Sequence, residues 1–349
     1  MTSSKIAILS LPYGPNYGCL LQQWALYTFI KNLGYDVIVL NRRWNRKTSI
    51  ITQLKTFFYL NFFIRKFTKF YAKITHSNEI RSSKELVDFI RSEKIDTVVV
   101  GSDQIWRIEY TRGADLNFFC DFADECVKKI SYAASFGIEK WNGTLEETVK
   151  IASLLKKFYA VSVREKSGVA LCKSLFDCSA VQVLDPTLLL NASDYGVFLG
   201  QKRENFLGTY ILDNSPEINL QISKIALQLK LNEIALYPHK KRKFSFYKTI
   251  PQWVSYIYNS NYMIVDSFHG LVFSILFHRQ FIVLINKNRG ESRIRTLLSE
   301  IGLENRAVEF LDENSINLLK LFIDYNMVEK KLAILREKSK KFICCALES

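Results

Sequence analysis

The sequence alternates between short apolar runs of strand length and longer segments with helical periodicity, and this alternation limits the fold most. Ile6-Ala7-Ile8-Leu9 is the first apolar run, and apolar residues then recur at helical spacing from Cys19 to Leu33. Val37-Ile38-Val39-Leu40 begins the next strand. A βαβ unit of this kind produces parallel strands, because they need a crossover connection. The chain is therefore predicted to be an α/β protein.

The alternation restarts near Asn205, which predicts two Rossmann-like domains facing a cleft. A chain of 349 residues exceeds the usual size of one hydrophobic core. We place the boundary between residues 195 and 196. Residues 1–195 are expected to be the acceptor side, and residues 196–349 to end in a helical tail from 315 to 346. A cleft between domains is the usual place for a ligand site.

Polar residues follow several predicted strands at the point where each strand ends. The run Tyr262-Met263-Ile264-Val265 is followed by Asp266-Ser267-Phe268-His269-Gly270 and then by a helix-like apolar run. Open α/β sheets bind ligands at the carboxyl ends of their strands. His269 is one of four histidines, and a histidine near neutral pH can carry a proton. It is the first candidate catalytic residue.

The loop Asn16-Tyr17-Gly18 follows the first strand, where a phosphate-binding turn would lie. It lacks the pattern G-x-G-x-x-G, and the next strand ends in Asn41-Arg42-Arg43 without an acidic residue for a ribose. NAD binding is therefore not predicted. The Asn16 amide and the backbone at Gly18 are expected to contact an anion or a sugar, unless the loop is an ordinary turn.

The formal charge is +14, and a basic balance suggests anionic partners. Nucleic acid is not predicted, because the chain has no zinc-finger spacing, RNP-like motif or repeat. From Arg42 to Asn78 there is no acidic residue, and basic residues are mixed with bulky aromatic ones. The segment 42–76 is predicted to be either a peripheral surface against an anionic membrane or a basic helix packed on its own domain.

The seven cysteines are odd in number and include no C-x-x-C pair, which argues against disulfides and a zinc site. We expect neither a metal nor a cofactor. The N-terminus runs straight into a strand-like segment without a secretory signal. The expected location is the cytoplasm, with the inner membrane face as a peripheral contact.

Taken together, the polar motifs at the strand ends resemble those of the polysaccharide pyruvyl transferase family over nearly the whole chain. The resemblance depends on the order and spacing of these motifs. The motifs are Asn16-Tyr17-Gly18, Gly101-Ser102-Asp103-Gln104-Ile105-Trp106, Ser131-Tyr132-Ala133-Ala134-Ser135-Phe136-Gly137, Ser162-Val163-Arg164-Glu165, Leu184-Asp185-Pro186-Thr187, Asp266-Ser267-Phe268-His269-Gly270 and Ser292-Arg293-Ile294. The resemblance implies a glycosyltransferase-B-like fold. It also implies transfer of pyruvate from phosphoenolpyruvate to a hexose of a surface polysaccharide, or of its lipid-linked precursor, as a cyclic ketal.

This chemistry needs a general acid, cations for the phosphate and carboxylate, and a base. The resemblance assigns His269 as the acid and Asp103 as a base or hydroxyl-orienting group. It assigns substrate contacts to Arg164, Ser267, Gly270, Arg293, Asn16 and Gly18. Some relatives carry an arginine where this chain has Ser267, so the missing cation is expected from Arg293, Lys287 or Arg289.

Several plainer interpretations stay open. Arg164 and Glu165 could form a local ion pair, Asp103 could cap a helix, and Asp266 could orient His269 or a loop amide. Asp185-Pro186-Thr187 is typical of a turn, and Trp106 and Trp253 could be core residues or sugar platforms. The alternative functions are a glycosyltransferase with a nucleotide-sugar donor and a non-catalytic glycan assembly factor.

Overall fold

The computed structural model describes residues 4–44, 65–200, 205–237, 247–286 and 290–348. By its internal contacts the chain divides into two compact units. Unit 1 comprises Met1–Leu190 and Leu335–Ser349, and unit 2 comprises Asn191–Ile334. The boundary expected from the sequence, 195/196, lies close to this division, but the end of the C-terminal helix groups with unit 1 rather than with the second domain.

Unit 1 is built on a seven-stranded parallel sheet in the order β3-β2-β1-β4-β5-β6-β7. Its strands are β1 (Lys5–Leu9), β2 (Asp36–Arg42), β3 (His76–Ile80), β4 (Thr97–Val100), β5 (Lys128–Ala134), β6 (Ala160–Val163) and β7 (Val181–Gln182). Its helices are α1 (Tyr17–Asn32), α2 (Ser83–Ser92), α3 (Ile108–Thr111), α4 (Leu145–Leu155) and α5 (Lys166–Phe176). In the centre of the sheet, Ile6 of β1 lies between Val37 of β2 and Thr97 of β4.

Unit 2 has a five-stranded parallel sheet in the order β12-β11-β10-β8-β9. Its strands are β8 (Phe206–Tyr210), β9 (Asn232–Ala235), β10 (Tyr262–Val265), β11 (Gln280–Leu284) and β12 (Ala307–Val308). The helices are α6 (Pro216–Leu229), α7 (Ile250–Asn259), α8 (Phe268–Leu276), α9 (Glu291–Ile301), α10 (Glu313–Lys320) and α11 (Tyr325–Glu348), which continues into unit 1. Both sheets confirm the predicted α/β class.

Two tryptophans that the sequence left between core and surface roles are core residues. Trp106 is 0% exposed, stacks on Phe119 with ring centroids 5.4 Å apart, and donates from Nε1 to the Phe118 carbonyl oxygen at 2.9 Å. Trp253 is also 0% exposed and packs edge-on against Tyr210 at 5.1 Å. Neither indole offers an open face for stacking on a sugar.

Two elements differ from the sequence expectation. Strand β3 was not predicted, because three of its five residues are exposed and its sequence has no apolar alternation; only Ser77 and Ile80 are buried. The predicted helical tail 315–346 is two helices, α10 and α11. The break follows from the Asp324 carboxylate, which accepts hydrogen bonds from the Asn326 and Met327 backbone N–H groups and so begins a new helix.

The basic aromatic segment is described only in part, since residues 45–64 lie outside the described residues. Residues 65–71 are helical, and Phe67 and Phe70 are buried at 0% and 3% exposure. Phe67 contacts Tyr17 of α1 at 5.1 Å between ring centroids. Phe67 and Phe70 therefore pack on their own unit, and the role of the whole segment 42–76 stays a prediction.

No helix within the described ranges is both long enough and apolar enough to cross a lipid bilayer.

We predict that Trp106→Ala destabilises unit 1 by about 3–5 kcal/mol, because it leaves a large cavity and an unpaired carbonyl oxygen. The matched control is Val149→Ala on α4, whose side chain is 64% exposed. Urea unfolding followed by circular dichroism gives both values. Equal stability of the two variants would contradict the core role of Trp106.

Candidate functional site

The strand order of unit 1 reverses between β1 and β4, and ligands of open α/β sheets bind at such a switch point. The loop after β1 ends at Asn16, and Gly18 lies in the first turn of α1, while β4 leads directly into Ser102 and Asp103. Three of the candidate residues named from the sequence thus share one edge of the sheet. The motifs were found separately, and the topology brings them together.

A small polar network joins the two strand ends at this switch point. The Ser10 hydroxyl after β1 donates to the Ser102 carbonyl oxygen at 3.1 Å, and the Gln22 side chain of α1 donates to Ser10 Oγ at 3.0 Å. Gln22 Oε1 also accepts the Ser102 backbone N–H at 3.1 Å. All three residues are buried, so their polar groups have no access to water, and these hydrogen bonds satisfy them instead.

Asn16 begins α1 as its N-cap, with the side-chain oxygen accepting the Cys19 backbone N–H at 3.1 Å. Gly18 lies in the first turn of that helix and is buried. Burial raises the pKa of the Cys19 thiol, and the nearby Asp103 carboxylate raises that pKa further. The raised pKa favours the neutral thiol of Cys19, which is less nucleophilic than the thiolate.

Asp103 has a left-handed backbone, with φ at 78°, which is uncommon for a residue with a side chain. Its carboxylate accepts the Gln104 backbone N–H at 2.9 Å, and its carbonyl oxygen accepts the Ser135 N–H at 3.0 Å. No helix begins at Asp103, so it does not serve as the helix cap that the sequence allowed. Backbone conformations of this kind concentrate at functional sites.

Arg164 and Glu165 follow β6 but do not pair with each other as the sequence allowed. Arg164 Nη2 lies 2.9 Å from Asp185 Oδ2 in an ion pair whose side chains are 2% and 0% exposed, and it also contacts Ser102 Oγ. The Glu165 carboxylate instead accepts bonds from the Ser135 hydroxyl and from the backbone N–H groups of residues 136 and 137. Glu165 therefore holds the loop after β5, while Arg164 reaches toward the switch point.

In unit 2 the strand order reverses between β8 and β10. The Asp266 carboxylate, just after β10, accepts the backbone N–H of Leu212 at 2.8 Å and of Asp213 at 2.9 Å, just after β8. Asp266 is 2% exposed. The sequence left two roles open for Asp266, orienting His269 or holding a loop amide, and these bonds correspond to the second role.

Ser267 begins α8 as its N-cap and accepts the Gly270 backbone N–H at 3.1 Å. His269 follows in the first turn; it is 8% exposed, and its ring meets the Phe268 ring edge-on with centroids 5.4 Å apart. A β-carbon added at Gly270 would lie 3.0 Å from Tyr210 Cδ1 and 2.9 Å from Ser267 Oγ. The glycine is required because the helix start packs closely on the end of β8.

Arg293 approaches the same Phe268 ring from α9. Its guanidinium carbon lies 5.4 Å from the ring centroid, and the residue is 6% exposed. The guanidinium also packs on Gly290, where an added β-carbon would lie 2.6 Å from Arg293 Nη2. A cation and the candidate acid His269 thus border one aromatic ring. The other two candidate cations, Lys287 and Arg289, lie outside the described residues.

The sequence did not single out Ser10, Gln22 or Ser102 as separate contributors. A signal was available for Gln22, because Gln22 and Gln23 are two adjacent polar residues within a mostly apolar helix. In the described part of the chain, no three histidine, cysteine, aspartate or glutamate side chains come together as a metal site would require.

The sequence matches the family model for polysaccharide pyruvyl transferases over residues 16–288. The chain belongs to the polysaccharide pyruvyl transferase family. The matched range contains every candidate site residue except Arg289 and Arg293. Arg293 therefore lies beyond the matched range, and its candidacy depends on the motif Ser292-Arg293-Ile294 and on the contact with Phe268.

No curated protein matches the sequence. Solved structures resemble the fold of this pyruvyl transferase family member at low sequence identity. The UDP-GlcNAc 2-epimerase of Neisseria meningitidis, solved with UDP-GlcNAc bound, superposes with a TM-score of 0.59 and 12% identity, covering 99% of each chain. A glycosyltransferase of Rickettsia africae gives a TM-score of 0.50 and 12% identity, covering 97% of this chain and 99% of its own. These likenesses confirm the predicted glycosyltransferase-B-like fold class.

We predict that Gly270→Ala destabilises the protein by about 1–3 kcal/mol, because the added methyl group overpacks the contact with Tyr210. Gly14→Ala is the matched control, since a β-carbon there would meet nothing within 4 Å. Thermal unfolding of both variants measures the difference. Similar melting temperatures would show that α8 does not pack on β8 as described.

Proposed function

We propose that the protein transfers pyruvate from phosphoenolpyruvate to a hexose hydroxyl pair of a surface polysaccharide or its lipid-linked precursor, forming a cyclic ketal. Membership of the polysaccharide pyruvyl transferase family supports the assignment of the protein as a transferase that acts in polysaccharide synthesis. The observation that carries the donor assignment is the shared Phe268 ring. His269 and Arg293 both border it, at 5.4 Å each, beside the switch point of unit 2.

The reaction needs a proton donor and a cation close together. Phosphoenolpyruvate carries a carboxylate and a phosphate, which Arg293 binds through its planar set of N–H groups. His269 protonates the methylene carbon, C3, and positive charge then develops at C2. Desolvation by the surrounding apolar residues strengthens the attraction between the guanidinium and the donor anion.

The remaining steps complete the ketal. One sugar hydroxyl oxygen bonds to C2, the bond from C2 to the phosphate oxygen breaks, and a second hydroxyl oxygen bonds to C2 to close the ring. One hydroxyl proton replaces the proton that His269 donated, and the other leaves with the phosphate. Acid and base groups in fixed positions typically contribute about 10²–10⁴-fold each to such a step.

In unit 1, Asp103 is the base or hydroxyl-orienting group for the sugar. Its carboxylate lies at the switch point beside the N-terminal turn of α1, where Asn16 and Gly18 are placed to contact the acceptor. Arg164 supplies positive charge at the same edge. The lipid-linked form of the acceptor would bring the protein to the anionic membrane face.

A nucleotide-sugar glycosyltransferase is the competing assignment, since the structural neighbours include a glycosyltransferase. At 12% identity that likeness speaks to the fold and not to the donor. The deciding experiment incubates the protein with phosphoenolpyruvate and lipid-linked hexose acceptors and measures phosphate release. Binding of a uridine diphosphate sugar, without binding of phosphoenolpyruvate, would replace the proposed donor.

We predict that His269→Ala lowers phosphate release from phosphoenolpyruvate by about 10²–10⁴-fold, because the general acid is lost. The control is His278→Asn in the same unit, where the imidazole is half exposed and contacts Glu329 at 3.0 Å. Circular dichroism verifies that both variants are folded. Near-normal turnover by a folded His269→Ala protein would exclude the acid role.

We predict that Arg293→Ala raises KM for phosphoenolpyruvate roughly 10- to 100-fold, the usual effect of losing a hydrogen bond to a charged group. Arg295→Ala on the same helix is the control, since Arg295 is half exposed and pairs with Glu291 at 2.5 Å. Steady-state kinetics over donor concentration separates KM from kcat. If Arg293→Ala and Arg295→Ala behave alike, the donor anion binds elsewhere.

A further inference from the structure

We propose that Asp185 is a positioning residue, which holds the Arg164 guanidinium in one orientation at the switch point of unit 1. This inference rests on the proposed function for its substrate, the anionic donor or acceptor that Arg164 meets. Sequence alone indicated a turn at Asp185-Pro186-Thr187. The contacts around the carboxylate give it a further role.

The ion pair is fully inside the protein. Arg164 Nη2 and Asp185 Oδ2 are 2.9 Å apart, and the two side chains are 2% and 0% exposed. A buried guanidinium is costly unless an opposite charge compensates it. Asp185 therefore supplies the opposite charge that compensates the buried Arg164 guanidinium.

Asp185 is itself held rigidly. Its Oδ1 accepts the Thr187 backbone N–H at 2.9 Å and the Thr187 hydroxyl at 2.5 Å. It also begins the short 3₁₀ helix Pro186–Leu188, in which the proline ring restricts the first φ angle. With Oδ1 fixed in this way, Oδ2 has one direction, toward Arg164.

Ser102 is a second partner of Arg164. The same Nη2 atom contacts Ser102 Oγ. Ser102 is bonded in turn through its backbone to Ser10 and Gln22, next to Asp103. A continuous set of contacts thus runs from the end of β7, through Arg164, to the place where we put the acceptor hydroxyl.

Two roles for Asp185 predict opposite effects on substrate binding. If it were only a counter-charge, removing the charge would make Arg164 bind anions more strongly, and KM for the substrate that Arg164 meets would fall. If it positions the guanidinium, removing the charge lets the side chain move, and anion binding weakens. Displacements of about 1 Å can cost roughly 10²-fold in enzyme sites.

The test is Asp185→Asn, which keeps an oxygen for Thr187 but removes the charge that holds Arg164. We expect KM for phosphoenolpyruvate or for the acceptor to rise roughly 10- to 100-fold, with a smaller change in kcat. Asp177→Asn is the matched control, because its ion pair with Lys156 at 3.0 Å lies on the surface of the same unit. Both KM values unchanged, or lowered, would overturn the positioning role.

A second variant covers the case in which Asp185→Asn does not fold. Ser102→Ala removes the other partner of Nη2 and leaves the Asp185 charge in place. We expect the same KM to rise, by a smaller factor. A folded Ser102→Ala protein with unchanged KM values would also count against the inference.

A measurement without substrate separates this inference from the proposed function. The Nε–H signal of Arg164 in a ¹⁵N spectrum can be assigned by its loss in Arg164→Lys. We expect slow hydrogen exchange in the natural protein and in Asp177→Asn, and at least tenfold faster exchange in Asp185→Asn. If the natural protein neither binds nor uses phosphoenolpyruvate, the proposed function fails, and this exchange rate alone decides the role of Asp185.

Discussion

The rest of the structure depends on buried carboxylates that accept backbone N–H groups where parallel strands end. Past the last residue of a strand the ladder of the sheet stops, and backbone N–H groups in the next loop need other partners. Glu165 supplies them for the loop after β5, and Asp266 supplies them for the loop after β8. Charged acceptors make these bonds stronger than neutral ones. They fix the backbone from which the candidate side chains extend.

Each unit uses this arrangement at its own switch point. In unit 1 the bonds among Ser10, Gln22 and Ser102 join the ends of β1 and β4, and the Arg164–Asp185 pair adds the ends of β6 and β7. In unit 2 Asp266 joins β10 to β8, and α8 then presents His269 in its first turn. Acidic and basic groups at the strand ends thus hold the loops in place. The proposed chemistry depends on the positions of the side chains that these loops carry.

Much of the fold followed from local patterns. Strand β10 and the helix after it were predicted almost to the residue, because a continuous apolar run ends abruptly in Asp266 and a serine N-cap. The edge strand β3 was missed because its sequence is mostly polar. The division of the tail was missed because apolar periodicity continues on both sides of Asp324, and only its capping bonds show the break.

The sequence by itself determined the α/β class, the strand-end motifs and the family, since these depend on residue order and on period. Only the tertiary structure decided which motifs share an edge and what each charge contacts. Arg164 pairs with Asp185 and not with its neighbour Glu165, because successive residues leaving a strand point to opposite sides. Arg293 reaches the ring beside His269 from another helix. Contacts of this kind join residues far apart in the chain, so no local pattern encodes them.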